Sequence, residues 1–119
     1  SVMDPELIDA IEQNLEARKA LYPRIGFLDR QLNRNADDNM PTLKWKIDSI
    51  EEDIAKLSGQ GTMRAISDAL LQHVTGDRSS IEKKERLVEL REKLEPLYAQ
   101  RLECETELAE LRRQLSDLD

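Results

Sequence analysis

Residues 87–118 read LVELREKLEPLYAQRLECETELAELRRQLSDL, and the placing of their apolar side chains decides the fold class. Leu87, Leu90, Leu94, Leu97, Cys104, Leu108, Leu111, Leu115 and Leu118 fall three and four residues apart, with Arg101 the one polar residue on the line. A residue type recurring at that average spacing returns to one face of a helix, because each residue turns the chain by roughly 100°. A half-buried strand would need alternation at every second residue. The spacing therefore predicts a coiled-coil helix over 80–118, about 58 Å long. Ser79 or Ser80 can cap its start, and if Ser79 is the cap, Glu82 takes the capping-box position. Pro96 lacks the amide hydrogen that the helix needs, which predicts a kink.

Working outward, Gly59, Gly61 and Gly76 punctuate the region upstream. Thr62 can cap a short helix over 62–74 that carries Met63, Ile66, Leu70 and Val74. Before Ser58-Gly59 comes a second helix, from about Pro41 to Leu57, whose stripe of Leu43, Ile47, Ile50, Ile54 and Leu57 steps 4-3-4-3. The run Asn33-Arg34-Asn35-Ala36-Asp37-Asp38-Asn39 holds the residue types that close tight turns. Ahead of it lies a first helix from about Asp4 to Asn33, with Pro5 in its first turn. Its apolar line is Leu7, Ile8, Ile11, Leu15, Tyr22, Ile25, Leu28 and Leu32, interrupted by Arg18, and Pro23 predicts a kink or break near Leu21–Tyr22. Ser1–Glu6 reads partly as a cloning remnant, with native sequence expected to begin between Met3 and Ile8. The chain is thus expected to be one all-α domain over 1–119: an elongated helical hairpin over 5–57 turning at Asn35–Asn39, the short helix, and the long C-terminal coiled-coil helix.

Composition supports stripes over a thick core. Charged residues make up 36% and aromatics 3%, one Phe, one Trp and two Tyr, too few large side chains to fill a globular centre of this length. The net charge of −7 is spread evenly: residues 1–60 hold eight bases and twelve acids, residues 61–119 ten and thirteen. No basic face stands out, which argues against nucleic acid or an anionic membrane surface as partner. No apolar run approaches the roughly 18 residues that span a bilayer. One Cys cannot make an intrachain disulfide and fits a reducing compartment, so an intracellular place, cytoplasmic or nuclear, is expected.

Residues that could carry chemistry read more simply as structure. His73 has no converging nucleophile or second ligand in the sequence pattern, and Cys104 sits on the heptad line, where a thiol packs as a small apolar group. An EF-hand loop counted from Asp37 would need Gly at its sixth position and Glu at its twelfth; Thr42 and Asp48 stand there. Ser58-Gly59-Gln60-Gly61 lacks the strand and Lys of a phosphate loop. Glu51-Glu52-Asp53 lies among Lys residues as a solvated helix face, and a di-metal carboxylate bundle would need more than one His. No catalytic residue, metal or cofactor is expected.

Trp45 is the most informative single residue. It lies two positions from both Leu43 and Ile47, roughly 200° round the helix from each, so it points away from the apolar stripe, either as an exposed binding anchor or to be covered by another helix of the same chain. Phe27 is likewise off the line through Ile25, Leu28 and Leu32. Residues 41–57, with Leu43, Lys46, Ile47, Ile54 and Leu57 after an Asn/Asp turn and a long first helix, resemble the second helix of the homology-region-1 domain. The resemblance covers residues 10–60, about half the chain, and departs from the family at Pro23 and in the shortness of the second helix. That domain, found in relatives of protein kinase N and in F-BAR scaffold proteins, is an antiparallel coiled-coil finger that binds Rho-family GTPases. The resemblance implies small-GTPase binding.

From the residues themselves the expected function is a non-catalytic coiled-coil module for protein–protein assembly. Eight Leu and Cys104 on one face of the last helix demand cover, since burying one Leu contributes roughly 1.5–3 kcal/mol. The first two helices, divided by Pro23 and the Asn/Asp turn, look too short to cover it. A homodimer or hetero-coiled-coil through Leu108, Leu111 and Leu115 is therefore expected, beside the exposed anchors Trp45 and Phe27. Arg101 would then set register and partner.

Overall fold

The computed structural model describes residues 4–59 and 78–119. Among these residues it has three helices and no strand: α1 (Pro5–Asn33), α2 (Leu43–Leu57) and α3 (Arg78–Asp117). The molecule measures 86 × 27 × 19 Å with a radius of gyration of 23.3 Å, against the roughly 13–14 Å of a compact chain of this length. It is an elongated all-α protein with a long C-terminal helix, as the heptad line predicts. Residues 62–74, where a short helix and His73 are expected, lie outside the described residues.

The helix boundaries follow from local chemistry. Asp4 caps α1 by accepting the Glu6 amide at 3.1 Å, and Pro5 takes the first helical position. Thr42 caps α2 through the Trp45 amide at 3.1 Å. The stop after α2 is made by Ser58 and by Gly59 at φ +71°, the left-handed residue that glycine adopts without strain. α1 runs through Pro23 and α3 through Pro96 without the break expected near Leu21–Tyr22. Both prolines are exposed. The residues whose carbonyls lose a partner, Lys19 and Glu92, are exposed too, so water can serve those carbonyls, and the half-buried Leu21 and Ile25 or the seam residues Leu94 and Leu97 hold the helix on either side.

The pairing of the helices differs from the sequence expectation. Asn14 and Arg18 of α1 donate to the Leu118 carbonyl at 2.7 and 2.9 Å, and Arg24 pairs with Glu107 at 2.6 Å. α1 therefore runs antiparallel to the C-terminal half of α3. α2 runs antiparallel to the N-terminal half: Leu43 and Ile47 lie near Arg101, Glu51 accepts from the Tyr98 hydroxyl at 3.2 Å, and Leu43, Ile47 and Ile54 form one cluster with Leu87, Leu90 and Leu94. So α1 and α2 point the same way and follow one another along α3. The antiparallel hairpin is made by α1 plus α2 against α3, and the direction reverses between Leu57 and Arg78, not at Asn35–Asn39.

This arrangement also overturns the expected shortage of cover. Leu87, Leu90, Leu94 and Leu108 are buried, and Leu97, Cys104, Leu111, Leu115 and Leu118 are half-buried. Two short stripes laid in line add their lengths, because the residues that separate them loop out sideways. The C-terminal seam is covered from within the chain.

Candidate protein-interaction surface

The junction where α1 hands over to α2 is the irregular point of the described structure. The chain leaves α1 at Arg34, turns, and comes back beside its point of departure: the Thr42 hydroxyl donates to the Arg34 carbonyl, and Gln31 Oε1 accepts the Leu43 amide at 3.0 Å. Between them, Asp37 and Met40 exchange both backbone hydrogen bonds, at 3.0 and 2.7 Å. Asp38 and Asn39 at the turn have φ of +47° and +66°, a pair of left-handed residues that Asp and Asn tolerate better than other side chains. The Asn/Asp run is thus the tight turn expected, used to return the chain to the same axis.

Thr42 holds this junction. It is buried, accepts from Trp45 and donates to Arg34. Thr42→Val keeps the shape and removes both bonds. We expect it to lower stability by about 1–2 kcal/mol, with Thr42→Ser close to wild type, read from urea denaturation curves. An unchanged Thr42→Val curve would remove the hydroxyl from this account.

Opposite the junction stands Arg101, the polar interruption of the heptad line. It borders Leu32 at the end of α1 and Leu43 and Ile47 at the start of α2. Its guanidinium lies 4.8 Å from the Tyr98 ring centre and 3.7 Å from Glu105. A charged side chain is tolerated on the seam here because the apolar stripe that faces it changes from one helix to the next, leaving the charge a route to solvent.

Exposed apolar side chains gather around the same junction. Trp45 is 44% exposed and Phe27 39%, both off the seam as their positions predict. Phe27 has two guanidinium groups over its ring, Arg24 at 5.1 Å and Arg30 at 6.0 Å from the ring centre, a cation–π arrangement. Phe27, Arg30, Gln31, Asp37, Met40 and Pro41 line an open cleft. Met40 is 72% exposed and Leu102 66%; sequence reading passed over both. Leu102 could have been noticed as a Leu lying off the heptad line beside Arg101, whereas Met40 sits in a polar turn that gives no periodic signal. Leu108, Leu111 and Leu115, expected to meet a partner, instead lie in the intramolecular seam, on the face of α3 along which α1 runs.

The charges around the seam are surface pairs. Arg24 holds the Glu107 carboxyl below its ordinary value, Arg86 does so for Glu89, and Arg113 with Gln114 brings Glu110 from 4.5 to about 2. The guanidinium of Arg18, hydrogen-bonded to Asp119, is pushed up, as is that of Arg24 by Glu107. Depressed carboxyl values stabilise the folded chain above the ordinary value and lose that contribution as pH falls through the folded value. The urea midpoint should therefore fall as the pH drops below the ordinary carboxyl value of 4.5 towards about 2, and Arg24→Gln should flatten that fall. A flat profile in the wild type would contradict it. Burial pushes the Cys104 thiol up, away from the reactive thiolate. Among the described residues no group of three His, Cys, Asp or Glu is placed to hold a metal ion, and no helix is long and apolar enough to cross a membrane.

No family model matches the chain, and neither curated proteins nor solved structures yield a match.

Proposed function

We propose that this chain is a non-catalytic helical assembly module, a scaffold or adaptor element of an intracellular complex, cytoplasmic or nuclear. Its antiparallel helical rod presents the junction of α1 and α2 to a protein partner. One observation carries the reading. Beside the junction the seam covers Leu28, Leu43 and Ile47 internally, yet Phe27, Met40 and Trp45 remain exposed on or near a turn held by Thr42. Large side chains held on rigid elements suit partner recognition, because little conformational freedom is lost when they are covered. The lone thiol, half-buried and raised in pKa, fits a reducing compartment.

The test is affinity capture with wild type, Trp45→Ala and Phe27→Ala. Proteins retained by the wild type and lost from both variants, with unchanged melting, are the expected result. Equal capture by all three overturns the assignment of this surface. Nucleotide-loaded Rho-family GTPases, assayed one by one, decide the alternative that the resemblance implies: binding that depends on the bound nucleotide would replace a general assembly role with small-GTPase recognition.

A further inference from the structure

Ahead of Leu28, α1 is held to α3 mainly by polar contacts. Stepping back from Leu28 by threes and fours along the seam gives Ile25, Leu21, Arg18 and Asn14. All four are half-buried and two are polar. In the part of α3 that they cover, Leu111 and Leu115 are also only half-buried. The two helices are joined here by Asn14 and Arg18 on the Leu118 carbonyl, by Arg18 with Asp119 at 2.7 Å, and by Arg24 with Glu107 at 2.6 Å. Ion pairs with exposed partners contribute little and weaken with salt. The half that α2 covers is held differently: Leu43, Ile47, Ile54, Leu87, Leu90 and Leu94 are buried in one cluster.

Just before Leu28 the backbone of α1 has a soft point. Pro23 leaves the Lys19 carbonyl without its helical partner, and Gly26 follows three residues later. Glycine inside a helix disfavours the helix relative to alanine. No packing reason holds it at this position, because a Cβ added to Gly26 meets no atom within 4 Å, and its φ lies outside the left-handed region. Pro96 makes the contrast. Leu90 and Leu94 are buried just ahead of it, and α3 contains no glycine. We propose that α1 is hinged over Pro23–Gly26, and that its part ahead of the hinge lifts from α3 while Leu28 and the α2 half stay packed. The open state bares Leu111 and Leu115, so this part of α1 is a built-in cover on the last turns of the seam. The hinge does not depend on the junction being a partner surface.

Distances between paired spin labels on the full chain test it. Lys19→Cys/Gln114→Cys reports on the cover and Asp53→Cys/Lys93→Cys on the α2 half, both with Cys104→Ala; the four labelled positions are exposed. The first pair should give a short and a long distance, the long one gaining as salt rises from about 0.1 to about 1 M. The second pair should give a single distance throughout. Adding Gly26→Ala should lower the open-to-closed ratio about two- to fivefold. A single short distance for the first pair at every salt concentration overturns the hinge. So does an open fraction that Gly26→Ala leaves unchanged, or a long distance that appears in both pairs together. Should a labelled variant fail to fold, hydrogen exchange on the unlabelled wild type decides. A helix segment this short is marginal once released, so the amides of 14–22 should exchange faster than those of 28–32, and the gap should widen with salt. Equal protection on the two sides of Gly26 overturns the proposal.

Discussion

Ile54→Asp should unfold most of the chain. Ile54 is fully buried, in one cluster with Leu43, Ile47, Leu87, Leu90 and Leu94. No Lys or Arg belongs to that cluster, so an aspartate there is either ionised without a partner or held neutral by a raised pKa, and both states destabilise the fold. The loss should reach about 4 kcal/mol or more, a large share of the roughly 5–15 kcal/mol that holds a domain together. Urea denaturation followed by circular dichroism measures it. Ile50→Asp is the comparison on the same stripe: Ile50 is half-buried, so its variant can turn the charge toward water and should lose distinctly less. If the two variants melt alike, α2 is rotated from the orientation described here.

Leu28→Ala should carry the second largest effect. Leu28 is the one fully buried side chain of α1 among the described residues, in the half of the rod that also buries Leu108. Removing three carbons from a site that cannot collapse costs about 2–5 kcal/mol. Leu15→Ala removes the same atoms from a half-exposed position and should change stability by less than about 0.5 kcal/mol. The rod has two packed regions in series, so the damage should also be uneven. Hydrogen exchange should quicken over 18–32 and 104–118 more than over 87–97. Uniform quickening would mean that the two halves unfold as one unit.

The three helices were legible because each carries its own period. The seam of α3 shows nearly every buried position, and the stripe of α2 names Leu43, Ile47 and Ile54 correctly. Pairing was not legible. A stripe records which face of a helix is covered and how far, but it carries no mark of direction, so α2 against α1 and α2 against α3 look the same in sequence. A faint clue existed in Arg101: a polar residue on one strand of the seam, and a polar turn dividing the other, are what a handover between helices requires. Trp45 and Phe27 were legible as off-stripe residues by simple angles. That Leu7, Ile8, Ile11 and Leu15 would stay exposed was not, because their spacing is that of any buried stripe. Among the described residues, the Leu118 carbonyl meets α1 at Asn14 and Arg18, above these turns.

The return of the chain to its own starting point at Thr42 has a consequence for evolution and engineering. Because the Thr42 hydroxyl meets the Arg34 carbonyl, the nine residues 34–42 contribute length without contributing to the register of either helix on α3. Extra residues placed between Asp38 and Asn39 should lengthen a side loop and leave the rod in phase, at an entropic cost that rises only by about 0.6 kcal/mol per doubling. One residue added to α3 near Arg101 would behave differently. It would rotate everything beyond it by roughly 100°, carrying Leu108, Leu111 and Leu115 off α1 together. Among the described residues, the turn at Asp38–Asn39 is therefore a position where an epitope, a fluorophore-bearing peptide or a whole inserted domain can be grafted, beside a forty-residue helix whose length the packing fixes.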